Sequence, residues 1–350
     1  MTETARTDAD AAPRVPTTMR ATTYDRYGNP EDVLRVTEVP VPEIGPADVL
    51  VDVRSASVNA LDWHFTTGLP MFARPALGLR RPHRTIPGAD VAGVVVAVGA
   101  DVTRHRVGDD VFGEVSGGGF AEYVAAPADW MVAKPANLGF EEASTIGVAA
   151  ETALQGLRDW GRLEEGQRVL VNGASGGVGT YAVQLAKALG AAHVTAVCST
   201  HNVETAARIG ADRVVDYTRE DATATRERYD LIFDNAGVWP LRTCGRMLAE
   251  GGSYVMVSSP KSRWLHPLPR MVANPLYFTL ASGHGPGFKV AARNTADLEL
   301  LADLATRGLL KALTLKHKWA TVLVTHHADD ISAIADRVYS LDDGALSLSR

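Results

Sequence analysis

The hydrophobic pattern of the chain is clearest near its middle. Three consecutive apolar residues, from Val169 to Val171, predict a strand that is buried on both faces. A glycine-rich turn follows, and apolar residues then recur at helical spacing from Val178 to Leu189, where Gly190 is expected to end the helix. The stretch therefore predicts a strand, a turn and a helix in direct succession.

Two kinds of pattern divide the rest of the chain. Residues 18 to about 147 contain short apolar runs between turn residues, which is typical of an all-β unit. Its predicted strands are 49–54, 88–99, 107–113 and 119–124. From Glu141 to about residue 285, helical patterns alternate with strands, which indicates a doubly wound parallel sheet. Its fourth and fifth strands are predicted at 230–237 and 252–258. The fold class is therefore α/β, with a β domain beside the parallel-sheet domain.

Three further segments complete this outline. Residues 66–87 have no clear period and carry three prolines before Pro87, so they predict a long loop that is either functional or mobile. A helix is predicted from Asn294 to about Arg307, with Leu298 and Leu301 on one face. Residues 1–17 are expected to form a disordered tail.

The glycine turn has the spacing and the context of a dinucleotide-binding turn. Gly173, Gly176 and Gly179 stand three apart, where they would permit a tight turn, close approach to a phosphate and close packing of helix on strand. The alternative is a turn with a purely structural role. The predicted cofactor-binding residues here are Gly173, Ser175, Gly176, Gly177, Val178 and Gly179.

The end of the next strand, residues 193–198, bears on which dinucleotide binds. In an NAD enzyme an acid near this position grips the ribose 2′-hydroxyl, but here Ser199, Thr200, His201 and Asn202 follow the strand. Hydroxyls, an amide and an imidazole tolerate a 2′-phosphate that a carboxylate would repel, so NADPH is favoured. No Arg or Lys lies at the tip, and the possible reinforcements are Arg208, Arg213 and Tyr217.

Composition narrows the class of protein. The chain has 350 residues, 46% of them hydrophobic and 22% charged, which suits a globular enzyme of two domains. A net charge of −6 gives no reason to expect nucleic acid or an anionic membrane as a partner. Two cysteines, Cys198 and Cys244, cannot form a disulfide framework, and Cys198 is expected in the core. With no signal-peptide pattern and no apolar run of membrane-spanning length, a reduced cytoplasmic setting is expected.

Five motifs, in this order, resemble the medium-chain dehydrogenase/reductase family. They are residues 57–62 (SVNALD), 87–93 (PGADVAG), 107–113 (VGDDVFG), 172–179 (NGASGGVG) and 210–217 (GADRVVDY). The resemblance runs from about Met19 to about residue 312 and is specific to the zinc-independent quinone oxidoreductase branch. It implies a GroES-like β domain formed by residues 18–147 and 288–350. A dinucleotide-binding (Rossmann) domain is implied at 148–287, together with NADPH-dependent reduction of quinones or enones.

Residue types argue against a metal site. In the zinc-dependent branch a Cys stands where this chain has Asn59, and a His-Glu pair where it has Ala89 and Asp90. Catalytic zinc needs three protein ligands, and neither Asn59 nor Ala89 is one. His64, His83 and His105 are interpreted as scattered, solvated surface groups. We therefore predict that the chain holds no metal.

Without a metal, catalysis must come from positioning and hydrogen bonding. The resemblance places Asn59 and Asp62 beside the nicotinamide, Asn59 to orient the substrate carbonyl or the cofactor ribose. A structural cap is an equally good account of Asp62. The predicted substrate-pocket residues are Trp63, Met71, Phe72 and Leu77. Further cofactor contacts are predicted at the ends of the fourth and fifth strands, namely Asn235, Ala236, Gly237, Val257, Ser258 and Ser259.

The C-terminus departs from the family pattern. Residues 320–345 resemble the end of an ATP-binding-cassette ATPase, but the chain has no Walker A lysine motif, so ATP hydrolysis by that route is excluded. A catalytically silent NADPH-binding regulatory or structural protein remains as the alternative function, whereas a zinc alcohol dehydrogenase is disfavoured because the zinc ligands are absent. Residues 275–280 predict an apolar edge strand, from which we expect a homodimer.

Overall fold

The structure is a computed structural model that describes residues 15–258, 291–311, 338–342 and 345–349. Most of the predicted tail, the predicted edge strand at 275–280 and most of the segment at 320–345 lie outside the described residues. Within the tail, residues 15–17 are exposed and the first strand begins at Thr18.

The first half of the chain forms two antiparallel sheets, of two and five strands. The small sheet pairs β1 with β2, and the larger one has the order β6-β3-β4-β5-β7. Alternate valines of β3, such as Val49, Val51 and Val53, are buried in its core. The strands are β1 (Thr18–Thr23), β2 (Arg35–Pro40), β3 (Asp48–Ser57), β4 (Asp90–Val98), β5 (Asp110–Glu114), β6 (Tyr123–Pro127) and β7 (Met131–Ala133).

The predicted all-β character is confirmed, with shifted bounds. The strand predicted at 119–124 begins instead at Tyr123, because Gly117 and Gly118 adopt positive φ angles of 103° and 94° and turn the chain. Three strands, β1, β2 and β7, had no individual prediction. Of these, β2 is mostly exposed and β7 has only three residues. Neither offers the alternation from which a strand is predicted.

The segment predicted as a long loop, residues 66–87, is partly helical. The preceding helix, Ala60–Thr67, ends at Gly68 with φ +61°, and a 3₁₀ turn over Met71–Ala73 leads into a short helix, Arg74–Leu77. These turns are too short to show a helical period, which explains why the sequence predicts none.

The second half forms a five-stranded parallel sheet with the order β10-β9-β8-β11-β12. This is the predicted doubly wound arrangement, in which β9 and β10 lie on one side of β8 and β11 and β12 lie on the other. Val169 and Val171 face one hydrophobic core and Leu170 faces the other, so the strand is buried on both sides. The strands are β8 (Arg168–Asn172), β9 (His193–Cys198), β10 (Arg213–Asp216), β11 (Tyr229–Asp234) and β12 (Leu248–Met256).

Helices cover this sheet, and one of them joins the two halves of the molecule. The helix Gly147–Gln155 buries Ala150 and Leu154 in a core that also contains Phe112 of β5 and Val171 of β8. A π-helical turn, Gly156–Trp160, continues it. The remaining helices are Pro30–Val33, Phe140–Ala143, Gly177–Ala188, Val203–Arg208, Leu241–Met247 and Thr295–Thr306.

Near the C-terminus the backbone of β13 (Val338–Asp342) pairs with that of β14 (Ala345–Ser349) as an antiparallel hairpin. Across the ranges that the structure describes, no helix has both the length and the apolar content needed to cross a bilayer.

The helix Thr295–Thr306 confirms the prediction for residues 294–307, and polar contacts fix it to the joining helix. Asn294 caps its N-terminus by accepting from the Ala296 N–H at 3.0 Å. Buried Asp297 accepts from Arg158 Nη1 at 2.7 Å and from Gln155 Nε2 at 2.9 Å. The Asp297 carboxylate therefore holds the helix Thr295–Thr306 against the joining helix Gly147–Gln155 and the π-helical turn that continues it.

We expect Asp297→Ala to lower the free energy of unfolding by about 1–3 kcal/mol, because the buried Gln155 amide would lose a partner. Asp303→Ala, on the same helix, is the matched control. It removes an exposed ion pair with Arg307 and should cost about 1 kcal/mol or less. Urea denaturation of both variants measures the difference, and equal losses would contradict a structural role for Asp297.

Candidate active site

A cleft of 690 Å³ lies at the carboxyl ends of β8 and β11, between the parallel sheet and the antiparallel half. Open α/β sheets bind ligands at this position. The lining residues are Ser57, Val58, Asn59, Ala60, Thr145, Ala149, Asn172, Gly173, Ser175, Gly176, Gly177, Val178, Thr180, Tyr181, Val197, Cys198, Tyr217, Asn235, Ala236, Val238, Trp239 and Ser258.

The glycine turn forms one wall of this cleft as predicted. Gly173 has φ +77°, a conformation that a residue with a side chain rarely adopts. Gly179 is buried beneath the turn, where a Cβ would overlap the carbonyl oxygen of Gly173. Gly176 lies opposite Asn235, whose Nδ2 would be 3.3 Å from a Cβ. The absence of side chains therefore leaves a cradle into which the helix Gly177–Ala188 directs its free N–H groups.

A buried carboxylate holds the opposite wall in place. Asp234, fully buried at the end of β11, accepts hydrogen bonds from Asn172 Nδ2 at 2.8 Å and from the Tyr254 hydroxyl at 2.7 Å. It also accepts from the N–H groups of Ala236 and Gly237, at 3.1 and 2.8 Å. Ala236 therefore faces the cleft because its backbone is fixed by Asp234, whereas Gly237 is buried behind it.

The other residues predicted at the strand ends also differ in whether they line the cleft. Ser258 lines the cleft, Val257 does not, and Ser259 lies outside the described residues. Of the residues predicted to bind the adenosine ribose, Tyr217 is 61% exposed and lines the cleft.

Ser199, Thr200, His201 and Asn202 follow β9 and are not among the residues that line the cleft, and three of them are held by local hydrogen bonds. Asn202 Nδ2 donates to Ser199 Oγ at 3.0 Å. Thr200 Oγ1 donates to Asp216 at 2.6 Å, and this bond is the main reason why the pKa of the Asp216 carboxyl is lowered. Sequence reasoning missed Asp216, because it is the last residue of a different strand, β10, and only the register of β10 on β9 brings it near Thr200.

On the antiparallel side, Asn59 lines the cleft. Its Nδ2 donates to Asp90 Oδ2 at 2.9 Å and lies 3.3 Å from Ser57 Oγ, while Ser57 Oγ donates to the same Asp90 oxygen at 3.2 Å. Asp90 has no exposed surface. The two polar groups that line this end of the cleft, Asn59 and Ser57, are therefore both anchored on one buried carboxyl.

The proposed catalytic role of Asp62 is not supported by the geometry. Asp62 is 4% exposed, does not line the cleft, and accepts from the N–H groups of Asn59 at 2.8 Å and Gly88 at 2.9 Å. Burial raises the pKa of its carboxyl to about 6, against the opposing effect of these hydrogen bonds. Of the two roles weighed for Asp62, the structure supports the cap of the helix Ala60–Thr67.

The predicted substrate pocket also needs correction. Trp63 lines a separate groove with Tyr27 and Arg74, and none of Met71, Phe72 and Leu77 lines the described part of the cleft. The short helical segment that carries them is held by other contacts: Arg74 stacks on the Tyr27 ring at 4.6 Å, and the Tyr27 hydroxyl donates to the Gly78 carbonyl at 2.6 Å. These anchors were not visible in the local sequence.

Other cleft residues were missed by sequence reasoning. Thr145 and Tyr181 share a hydrogen bond of 2.8 Å between their hydroxyl groups, and Trp239 supplies an aromatic surface. Burial raises the pKa of the Tyr181 hydroxyl. Tyr181 falls within the predicted helix, so its position on the first turn was the signal that could have found it. Cys198 is buried as predicted, and burial raises the pKa of its thiol to about 11.

The histidines are more ordered than expected. His64 Nδ1 lies 2.6 Å from the Leu69 carbonyl oxygen, and His105 Nε2 lies 3.0 Å from that of Met131, so neither is a freely solvated group. Both are half-buried, whereas His83 is exposed. Among the described residues, no group of three or more His, Cys, Asp and Glu side chains is arranged to hold a metal ion.

Comparison with known proteins agrees with this geometry. Residues 45–136 match the alcohol dehydrogenase GroES-like domain, and residues 177–281 match the family described as zinc-binding dehydrogenase. The chain is 39% identical over 249 residues to a chloroplastic quinone-oxidoreductase homolog of Spinacia oleracea, covering 68% of this chain and 74% of the relative. It is 35% identical over 261 residues to an NADPH-dependent alkenal/one oxidoreductase of Arabidopsis thaliana, covering 71% and 64% of the two chains.

Among solved structures, the quinone oxidoreductase of Coxiella burnetii superposes with a TM-score of 0.69 at 27% identity, covering 84% of this chain and 89% of that one. A GroES-like domain, a Rossmann-type sheet and a cleft between them that contains a glycine turn define a dinucleotide-binding oxidoreductase. More particularly, the chain belongs to the medium-chain dehydrogenase/reductase superfamily, in its zinc-independent quinone oxidoreductase branch.

The glycine turn generates a direct test. Gly179→Val should abolish dinucleotide binding, because the added side chain must displace the Gly173 carbonyl and with it the cradle. Ala188→Val, an exposed position on the same helix, is the control and should bind as the wild type does. Fluorescence titration with NADPH, after circular dichroism has shown that both variants fold, would contradict the site if Gly179→Val retained affinity.

Proposed function

We propose that the protein transfers a hydride from NADPH to a quinone or to an α,β-unsaturated carbonyl compound. The observation that carries the proposal is the single cleft in which the glycine turn and the Asn59 segment meet. The names of relatives in the same branch, a quinone-oxidoreductase homolog and an alkenal/one oxidoreductase, support the substrate class.

The residues present fit a bound dinucleotide. Gly173 and Gly176 leave the cradle open for a pyrophosphate, and the helix Gly177–Ala188 directs N–H groups toward it. Asn235 and Ala236 would lie against the cofactor on the opposite wall. When bound, the nicotinamide supplies the hydride, which is the part of the chemistry that side chains cannot perform.

The protein's own contribution is orientation and hydrogen bonding. Conjugation already activates the carbon that accepts hydride, so the site needs a donor for the charge that develops on the carbonyl oxygen. The Ser57 hydroxyl lines the cleft and can serve as this donor. The amide hydrogens of Asn59 are already directed to Asp90 and Ser57, which leaves its carbonyl oxygen to accept a hydrogen bond, as from a ribose hydroxyl. Solvent can supply the final proton to the reduced product.

The assay is oxidation of NADPH by the purified protein in the presence of a panel of quinones and enals. We expect NADPH to be consumed and one equivalent of the quinol or saturated carbonyl to form. A protein that binds NADPH but turns over none of these acceptors would overturn the proposal and favour the silent binding protein.

For the cofactor, NADPH is proposed over NADH because Ser199, Thr200, His201 and Asn202 provide no acid at the ribose position. Asp216, the acid nearest to Thr200, already accepts hydrogen bonds from Thr200 and Thr218, and Arg219 lies 3.5 Å from its carboxylate. Its charge is therefore partly offset, which supports tolerance of a 2′-phosphate.

We expect NADPH to bind about tenfold or more tightly than NADH, since one charge-assisted hydrogen bond contributes about 1.5–3 kcal/mol. Ser199→Asp should abolish this preference by repelling the 2′-phosphate, whereas Ser199→Asn, similar in size but uncharged, should keep it. Titration of each variant with both cofactors measures the ratio. Equal affinity of the wild type for the two cofactors would contradict the proposal.

We also propose a homodimer joined through residues 275–280, on the basis of the apolar edge strand that this sequence predicts. Light scattering at micromolar concentration should give twice the 37.3 kDa mass of the chain. Phe278→Lys should yield monomers, because it places a charge in the pairing strand. A wild-type monomer would refute this assembly.

A further inference from the structure

The carboxyl group of Asp90 is the point at which the two halves of the cleft meet. Asp90 is the first residue of β4, and its Oδ2 accepts from Asn59 Nδ2 at 2.9 Å and from Ser57 Oγ at 3.2 Å. Its Oδ1 accepts from the Val148 N–H at 3.0 Å, in the first turn of the joining helix. One buried side chain thus contacts three separate elements around the cleft.

The fit around this carboxyl is tight. A Cβ at Gly147, the first residue of the joining helix, would overlap Asp90 Oδ1, so glycine is required for the helix to approach so closely. Both hydrogens of the Asn59 amide are occupied, one by Asp90 and the other by Ser57. The orientation of Asn59 is therefore set by groups beneath the cleft, before any ligand binds.

Acidic groups dominate the surroundings of Asp90. Glu114 lies opposite Asp90 in the pairing of β4 with β5. The charge of Asp62 also raises the pKa of Asp90, and the charge of Asp90 raises the pKa of Glu151. Tyr181 lies on the cofactor side. Arg293, which precedes the helix Thr295–Thr306, faces this acidic cluster, and its Nη2 lies 3.2 Å from Glu114 Oε1.

Burial, and then the charge of Glu114, raise the pKa of Asp90 to about 8, which favours the protonated form at neutral pH. A protonated carboxyl can donate to Ser57 Oγ, which leaves the Ser57 hydroxyl hydrogen free to point into the cleft. An ionised carboxylate only accepts, and Ser57 must then donate to it. The state of Asp90 thereby decides whether the cleft contains an additional hydrogen-bond donor.

We propose that Asp90 is a positioning residue for hydride transfer, which fixes the Asn59 amide and the Ser57 hydroxyl at the reacting end of the cleft. The inference rests on the proposed function, because it assigns the residue that holds the groups assumed to contact substrate or cofactor. Asp90 itself does not line the cleft, so it acts through Asn59 and Ser57.

A double-mutant cycle tests this indirect action. Asp90→Asn preserves the shape but supplies one oxygen instead of two, so Asn59 and Val148 can no longer both be satisfied. We expect kcat to fall about tenfold or more, with little change in KM. Asn59→Ala should have a similar effect, and the double variant should be no slower than the slower single variant. Additive losses would overturn the proposal.

The pH profile is the second readout. Wild-type kcat should fall as pH rises through about 8, because Ser57 then turns toward the carboxylate, and this fall should be absent from Asp90→Asn. Glu114→Gln is the matched control, a half-buried acid on the neighbouring strand that contacts neither Asn59 nor Ser57. It should keep the low-pH plateau but move the fall to lower pH, since removal of its charge lowers the pKa of Asp90. An unchanged fall in Asp90→Asn would overturn the role.

Two precautions keep the outcome interpretable. If Asp90→Asn does not fold, Gly147→Ala displaces the same carboxyl from the other side and should lower kcat in the same way. If the wild type consumes no NADPH with any acceptor, the proposed function fails, and the cycle is then measured on NADPH dissociation constants. Non-additive losses of NADPH affinity would still support positioning of Asn59 by Asp90, and additive losses would refute it.

Discussion

The cofactor cleft depends on one fully satisfied buried carboxylate, that of Asp234. Removing a charge from water is costly unless hydrogen bonds replace the lost hydration, and Asp234 receives them from Asn172, Tyr254 and two backbone N–H groups. These donors come from β8, β12 and the turn after β11, so a single side chain ties together the strand ends that form the floor. Without it, the glycine turn would have no fixed wall opposite.

The buried acids Asp62, Asp90 and Glu151 are accommodated in other ways. Asp62 receives two backbone N–H groups and caps a helix, which is a satisfied and purely structural arrangement. Asp90 and Glu151 lie close to further acids, and burial raises the pKa of each to about 8. A raised pKa favours the protonated form of each acid, and protonation lowers the cost of burying it.

Sequence reasoning succeeded where local pattern and function coincide. The strand, glycine turn and helix of residues 168–190 are set by short-range geometry, and so their place in the cleft could be predicted. It failed where long-range packing decides. Met71 and Phe72 have the apolar character of pocket residues, but they do not line the described part of the cleft, and their segment is anchored by the stacking of Arg74 on Tyr27. Likewise, only strand register reveals that Asp216 meets Thr200.

The hydrogen bonds of Asn59 constrain how a reductase of this kind can work. An oxyanion needs a donor, but both amide hydrogens of Asn59 are directed to Asp90 and Ser57, which leaves its carbonyl oxygen for the cleft. Asn59 is therefore suited to accept a hydrogen bond, as from a ribose hydroxyl, and not to stabilise developing negative charge. The group beside it that can donate is the Ser57 hydroxyl, provided that the carboxyl beneath it carries a proton. In this cleft Asn59 is suited to orient the cofactor and Ser57 to stabilise charge, and the buried Asp90 carboxyl holds both side chains in these roles.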